Sequence, residues 1–379
     1  MKIAILTPWS ISPSAVGGTE RFVMDLANSF TELGNKVDVY MLSGKEYIKD
    51  NVSFKSINLF GTNEGIDEYF LRKTFNNFAL NSSYENLAKR IEELVDFSQY
   101  DLIHINSQLF LKLCQNKKRI FTIHTNPFEY KLDWGEDAFD TMIKIMNEEG
   151  KLKDTYFVTP SQHYAKEYKN LANTNVDFIP HAIDINRLKK EKFSDEIKEE
   201  LGIKKDKKII LLPSRLEPIQ KQPMLFMKAF AMIEENIKKQ FKVICTGADK
   251  QYLKYKEEIE SFCKENNIDI LITKFNTMCD AYEVTDLVVL PSQSESFGYS
   301  ALESLSLGIS TILNNIPTYR EVSIESKNHY IFDNTVESMY STLLIVLNNN
   351  LERVKQPEEW KNKYSINLFG QRYLNLLLK

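Results

Sequence analysis

Cysteine is scarce in this sequence: Cys114, Cys245, Cys263 and Cys279 are the four among 379 residues. They are scattered, with no Cys-x-x-Cys pair and no histidine at ligand spacing. That pattern argues against a disulfide framework and a structural zinc site, and leaves ordinary thiols in a reducing compartment. Long apolar runs are missing too. No stretch approaches the roughly 20 apolar residues that a membrane span requires. The opening Met1 to Leu6 is apolar but runs at once into Thr7 and Pro8. A signal peptide needs a longer apolar stretch and a small-residue cleavage site, so this segment reads as a buried first strand. No low-complexity tract occurs. The expected location is cytoplasmic, free or peripheral to the membrane.

An excess of positive charge is also lacking. Lys and Arg number 48 against 52 Asp and Glu, giving a net charge of −4 and a pI near 5.9. A protein held to nucleic acid mainly by charge is thereby disfavoured. The basic runs Lys117-Lys118-Arg119 and Lys204-Lys205-Asp206-Lys207-Lys208 read as solvated turns between elements.

What is present is an alternation of strands and helices. Lys2–Thr7 is an apolar run that ends in a loop holding Pro8 and Gly18. A helix is predicted over Thr19–Leu33, where Phe22, Leu26 and Phe30 share one face at helical spacing, and Gly34-Asn35 stops it. Val37–Leu42 is the next strand. This β-loop-α-β unit opens a doubly wound parallel sheet. Asp101–Ile105, Arg119–His124, Tyr156–Thr159 and Asp177–Ile179 read as further strands. From about Asn186 to Lys208 the chain turns rich in Lys and Glu, and the domain junction is placed there. A second α/β half follows, with strands at Lys208–Pro213, Phe241–Thr246, Ile268–Thr273 and Leu287–Pro291. Helices are predicted from Gln222 to Asn236 and from Gly298 to Leu307, and an amphipathic helix from Ser365 to Leu378 ends the chain. Two domains result, 1–187 and 188–358, with 359–379 as a terminal helix. A chain of this length exceeds the usual 100–200 residues of one domain.

The segment with most chemical content runs from Asp286 to Glu303. A buried strand ends at Pro291, a polar loop follows, and Gly298 opens a helix that Gly308 closes. Glu295 on the loop and Glu303 on the helix are eight residues apart. A helix N-terminus with unpaired N–H groups attracts phosphate, and carboxylates accept paired hydrogen bonds from vicinal hydroxyls. A ligand with sugar hydroxyls at one end, ribose hydroxyls at the other and phosphates between would match. Arg215 and Lys221, just after a strand, place two cations where a diphosphate would lie. Gly17-Gly18 before the first helix marks a turn where backbone can approach a ligand, although the Gly-x-Gly-x-x-Gly dinucleotide fingerprint is absent. His124 ends a strand of the first half.

The Glu295–Glu303 stretch resembles the glutamate–seven residues–glutamate motif of family 4 retaining glycosyltransferases with the GT-B fold. The wider frame, from the strand before Pro291-Ser292 to Pro317–Glu321, is similar as well. Two departures are visible, Ser296 for the usual Gly and Ser310 for the usual Pro. A third is an Arg215-to-Lys221 gap one residue longer than usual. The resemblance implies two facing Rossmann-like domains with a central cleft, the C-terminal helix crossing back to the first domain. It implies that Glu295 holds the donor hexose, Glu303 the ribose hydroxyls, and Arg215 and Lys221 the donor phosphates. Phe297, Gly298 and Tyr299 would offer backbone N–H groups, Gly17 and Gly18 would lie over the phosphates, and Lys274 and Phe275 would touch the base. His124 would stand beside the donor sugar, joining Glu295, Arg215 and Lys221 in the catalytic set, whereas His104 and His181 would be structural.

The activity so implied is metal-independent transfer of a hexose from a nucleotide sugar, UDP-glucose or UDP-N-acetylglucosamine by family frequency, with retention at the anomeric carbon. No Asp-x-Asp motif sits where a metal would bridge phosphates, and no cofactor is expected. The acceptor stays open among a glycan, a lipid-linked sugar, a protein side chain and a modified DNA base, as does the oligomeric state. It would be chosen by the segments Gly61–Ser83 and Pro127–Gly150, the latter holding Phe128, Tyr130, Trp134 and Phe139. Rival readings are a nucleotide-sugar-binding module without catalysis and a nucleotide-sugar epimerase on the same fold.

Overall fold

A computed structural model describes residues 1–12, 17–59, 80–188, 192–247, 252–275 and 277–378. The chain divides into two compact units, Met1–Ala182 with Lys363–Lys379, and Ile183–Asn362. Of the acceptor-choosing segments expected from sequence, residues 61–79 lie outside the described residues, as does Asn276 beside Lys274 and Phe275.

The first unit is built on an eight-stranded sheet in the order β3-β4-β2-β1-β5-β6-β7-β8. Its strands are β1 (Lys2–Thr7), β2 (Lys36–Met41), β3 (Tyr47–Lys49), β4 (Val52–Ser56), β5 (Leu102–Ile105), β6 (Arg119–Thr122), β7 (Thr155–Thr159) and β8 (Val176–Phe178). All neighbours are parallel except β3 against β4. Parallel strands covered on both faces must be apolar on both, so β1 reads as a continuous run. Ile3 and Ile5 face one core with Val37, Val39 and Leu102, while Ala4 and Leu6 face the other with Ile103 and Ile105. Burying each such valine, leucine or isoleucine contributes about 1.5–3 kcal/mol. The hairpin β3–β4 has no counterpart in the sequence reading. It turns on Asp50 and Asn51, both at positive φ (52° and 62°), in residue types that tolerate it.

The helix Gly18–Glu32 buries Phe22, Leu26 and Phe30 as their spacing dictates. The C-terminal segment packs on the same helix. Gly370 N–H donates to Ser29 Oγ at 2.8 Å, and a Cβ on Gly370 would stand 3.1 Å from Phe30. Phe369 and Tyr373 are fully buried and meet Phe22 edge-on. The single helix expected over Ser365–Leu378 is instead a 3₁₀ turn Ile366–Leu368, a helix Phe369–Leu374 and a second 3₁₀ turn Asn375–Leu378. Ser365 caps the first turn by accepting from Asn367 N–H; Ile366, Phe369, Tyr373 and Leu376 pack onto the unit, while Leu368 and Leu378 stay exposed.

The basic run at Lys117 is corrected in one residue. Arg119 is fully buried, not part of a solvated turn. Its guanidinium donates to the Leu111 and Leu113 carbonyls, to Thr155 Oγ1, and to Glu149 Oε2 at 2.8 Å. Neutralisation by the buried Glu149 makes that position tolerable.

The second unit holds a six-stranded parallel sheet in the order β11-β10-β9-β12-β13-β14. Its strands are β9 (Lys208–Arg215), β10 (Phe241–Gly247), β11 (Ile270–Ile272), β12 (Leu287–Leu290), β13 (Ser310–Asn314) and β14 (His329–Phe332). Ile210, Leu212, Val243, Leu287, Val289 and Ile312 form one core face beneath the helices Pro223–Ala231 and Val336–Leu347. The helix expected over Gln222–Asn236 is two, Pro223–Ala231 and Glu235–Lys238. Met232 and Ile233 tighten the first into 3₁₀-type bonds to Ala229 and Phe230, which turns Ile233 into the core.

Candidate active site

In a doubly wound sheet, ligands meet the carboxyl ends of the strands where the strand order reverses. In the second unit that point lies between β9 and β12, since β10 and β11 add on one side and β13 and β14 on the other. Arg215 ends β9, and the two loops leaving these strands carry Lys221 and Glu295.

The loop after β9 is folded by Glu217. Its carboxylate accepts from Ile219 N–H at 3.0 Å, from Lys221 N–H at 3.1 Å, and from Gln220 N–H. The loop is then stitched to the one after β12. Gln293 N–H donates to the Gln220 carbonyl at 2.7 Å, and Gln220 Nε2 donates to the Ser294 carbonyl at 3.2 Å. So held, Lys221 Nζ reaches Glu295 Oε1 at 2.6 Å. The same oxygen accepts from Tyr319 OH at 3.2 Å. Burial, and then the Glu295 charge, push the Tyr319 hydroxyl well above the ordinary tyrosine range, so it remains a donor. The Glu217 turn thus sets how the chain runs from Arg215 to Lys221. Arg215 itself is exposed, and its guanidinium makes no ion pair among the described residues.

Glu303 lies on the helix Tyr299–Ser306 and is only 5% exposed. Its Oε2 accepts from the buried Tyr282 OH at 2.8 Å. Gly298 precedes this helix at φ +97°, and no side chain caps the N-terminus. A Cβ on Gly298 would lie 2.7 Å from the Tyr319 ring. Left-handed backbone and close approach therefore both demand glycine here. Phe297 is buried and Tyr299 half-buried beside it. Ser300 Oγ ties the helix to the Pro213 carbonyl of β9. Lys274 and Phe275 follow β11 at the sheet edge, Lys274 exposed and Phe275 half-buried.

In the first unit the strand order reverses between β1 and β5. A cavity of about 200 Å³ opens there, walled by Trp9, Asn106, Gln108, His124, Tyr130 and Trp134 among others. His124 stands two residues beyond β6 rather than within it. Its Nε2 pairs with Asn106 Oδ1, and its ring packs 4.5 Å from Phe22 and 5.2 Å from His181. Burial pulls His124 down to about 3, and burial with the neighbouring His124 pulls His104 to about 3. His181 lies well below the usual range for the same reasons. All three rings are therefore neutral near pH 7. His104 is fully buried on Thr122 Oγ1 at 2.9 Å. Gly17 and Gly18 are in ordinary backbone: Gly17 has φ −71° and Gly18 begins the helix, so neither uses the left-handed freedom of glycine. Of the four aromatic residues expected to choose an acceptor, Tyr130 and Trp134 line the cavity. Phe139 is buried in the core and Phe128 is exposed.

The sequence reading missed Glu217, Tyr282, Tyr319 and Asn106. Tyr319 lies inside the Pro317–Glu321 frame, and Asn106 directly follows a buried strand; both positions were signals. No local pattern announces Tyr282.

Two family descriptions match the chain in succession, "Glycosyltransferase Family 4" over residues 16–187 and "Glycosyl transferases group 1" over residues 193–364. A Methanocaldococcus jannaschii protein named as an uncharacterized glycosyltransferase is 24% identical over 345 residues, 85% of this chain and 82% of its own. Among solved structures, sucrose-phosphate synthase from Thermosynechococcus elongatus superposes with a TM-score of 0.76 at 16% identity, covering 100% of this chain and 99% of its own. The HepE protein of Anabaena, solved in complex with UDP and glucose, gives a TM-score of 0.72 at 15% identity over 100% of each chain. These likenesses show the fold, the GT-B arrangement of two Rossmann-like domains. With one family description on each half, the chain belongs to the group 1, family 4 glycosyltransferases.

Proposed function

We propose that this enzyme moves a hexose from a nucleoside-diphosphate sugar, UDP-glucose or UDP-N-acetylglucosamine, to a hydroxyl acceptor with retention at the anomeric carbon. The observation that carries this reading is the Lys221–Glu295 pair at the strand-order reversal of the second unit, on the loops next to β9 and its exposed last residue, Arg215. A diphosphate leaving group develops negative charge as the C1–O bond breaks. Arg215 and Lys221 bring two cations to this end of the sheet, Lys221 held by Glu295, and the uncapped helix after Gly298 adds N–H groups. This preorganised positive charge supports departure of the diphosphate without a bridging metal.

Glu295, anchored by Lys221 and Tyr319, keeps its second oxygen for the hexose hydroxyls and orients the ring. It is not the nucleophile in this reading. The acceptor oxygen attacks C1 on the face the diphosphate leaves. Its proton passes to an oxygen of that diphosphate, so a new C–O bond replaces the old and configuration is retained. Glu303, held by Tyr282, accepts from the ribose hydroxyls. Neutral His124 acts as a hydrogen-bonding group beside the sugar rather than as a cationic acid. The Anabaena complex with UDP and glucose supports the choice of donor class.

The test is a thermal-shift panel of UDP, GDP, ADP and their sugars, with and without chelator. A ligand bound only by the folded state stabilises it by about 2.7 kcal/mol at a hundredfold excess over Kd. The expected result is a shift with one nucleotide, unaffected by chelator and weakened in Arg215→Ala and Glu303→Ala. A folded protein that shifts with none of them would overturn the reading. The anomeric configuration of the product, read by NMR coupling constants, tests retention.

A further inference from the structure

Seven of the ten non-glycine residues held at positive φ among the described residues are Asp or Asn, which tolerate it. Gln222 is not of that kind. It sits at φ 47° and ψ 46°, in the left-handed region, and it precedes Pro223, where extended backbone is favoured. Its side chain adds a second anomaly. Oε1 is buried with no hydrogen-bond partner among the described residues. Its Nε2 donates to Oε1 of the exposed Gln293 at 3.0 Å. An exposed bond between two neutral amides stabilises a fold little, so folding stability does not account for a glutamine in this backbone. A left-handed residue other than glycine that persists beside a candidate site points to a task there.

The place of Gln222 in the chain defines that task. Glu217 engages each N–H from Ile219 to Gln222. Its carboxylate accepts from Ile219, Gln220 and Lys221, and its carbonyl accepts from Gln222 at 3.1 Å. Pro218 has no N–H to offer. The loop therefore meets a phosphate through the Lys221 side chain. Lys221 is flanked by ties to the loop after β12. Before it, Gln220 accepts from Gln293 N–H and donates to the Ser294 carbonyl. After it, Gln222 donates to the Gln293 side chain. The same loop presents Glu295, 2.6 Å from Lys221 Nζ. Since Glu295 takes the hexose on the reading above, Lys221 lies at the phosphate next to the sugar, the one that a nucleoside monophosphate lacks.

We propose that Gln222 and Gln293 are positioning residues that act through Lys221, fixing its ammonium for the sugar-side phosphate of the donor. This rests on the donor reading above and extends it to two side chains that need not touch the donor themselves. The left-handed backbone at Gln222 is then the means by which its amide reaches Gln293 and closes the second tie.

The experiment is calorimetry on the full chain, comparing UDP with UMP, or the matching guanosine or adenosine pair where the parent binds that nucleotide instead. The variants are Gln222→Gly, Gln293→Ala, the two combined, Lys221→Ala, and Lys221→Ala combined with Gln222→Gly. Glycine suits left-handed backbone, so Gln222→Gly removes the amide without straining the turn. Its urea midpoint should not fall below that of the parent. The expected result is a UDP affinity about tenfold lower in Gln222→Gly and in Gln293→Ala, the size of one contact to a charged group, with UMP affinity as in the parent. The double variant should lose no more than either single one, and Gln222→Gly should change nothing once Lys221 is replaced by alanine. Parental UDP affinity in both single variants overturns the proposal and leaves the donor reading standing. So do losses that add in the double variant, or the same loss from Gln222→Gly in the Lys221→Ala background. An equal loss of UDP and UMP also overturns it and marks a purely structural role. A parent protein that binds none of UDP, GDP and ADP overturns the donor reading, and this proposal with it.

Discussion

Lys221 Nζ lies 2.6 Å from Glu295 Oε1, although 74 residues of chain separate them. The pair is mostly buried, with 13% and 18% of the side chains exposed. Removing either partner strands the other, and removing Lys221 also withdraws a cation from the proposed diphosphate position. Lys221→Ala should lower kcat for sugar transfer by about 10²–10³-fold, the usual size for one lost donor of this kind. Glu295→Gln keeps the shape and should act chiefly on the sugar, so UDP affinity stays near that of the parent while turnover falls. Steady-state kinetics and UDP calorimetry on both variants check this. A Lys221→Ala enzyme with parental kcat would remove Lys221 from the mechanism.

Gly298 is held at φ +97° against the Tyr319 ring. Gly298→Ala combines left-handed backbone strain with a steric overlap and should destabilise the protein by about 1–3 kcal/mol. It should also displace Tyr319 and with it the Glu295 carboxylate. Urea unfolding with UDP titration reads both effects. Unchanged stability would show that the loop relaxes freely.

The three histidines around Phe22 set a pH dependence. His104 and His124 stand near 3 and His181 well below its ordinary range in the folded protein, each from burial first. Unfolded, each returns to about 6.5. Between those values the unfolded chain binds more protons, so unfolding free energy rises with pH across the window. Stability is therefore complete above about pH 6.5 and is lost as the pH falls toward 3. Urea midpoints at pH 7.5, 6.0 and 5.0 should decrease in that order. A midpoint higher at pH 5.0 than at 7.5 would contradict the neutral assignment.

Arg119 and Glu149 form a fully buried ion pair 2.8 Å apart. Glu149→Leu alone leaves a cation in the core and should cost about 3–5 kcal/mol, whereas Arg119→Met with Glu149→Leu should cost less than that single change. A double-mutant cycle by denaturant unfolding measures the difference. Additive costs would mean that the two side chains act independently.

How much could be read from the sequence varied with how a residue earns its place. β1, β5 and β12 announce themselves because a parallel strand covered on both faces must be apolar throughout. The hairpin β3–β4 does not, since Tyr47–Lys49 is a short, half-exposed edge. β13, reading Ser-Thr-Ile-Leu-Asn, hides behind polar residues that are nonetheless buried: Thr311 bonds Ser304, and Asn314 bonds the Ser292 carbonyl. Among the candidate site residues, Arg215, Lys221, Glu295 and Glu303 follow strands or sit at fixed spacing, and so stand out in the sequence. Glu217, Tyr282 and Tyr319 act through contacts made across the fold, which spacing does not encode.

The final segment completes the first unit, closing over Phe22 and Phe30 through Phe369, Gly370 and Tyr373. During synthesis that unit emerges from the ribosome without its last piece. The whole of residues 183–362 must be made before the piece exists. At roughly 5–20 residues per second the delay is about 10–40 s. For that interval the outer face of the first helix stands uncovered, and the second unit can finish folding before the first.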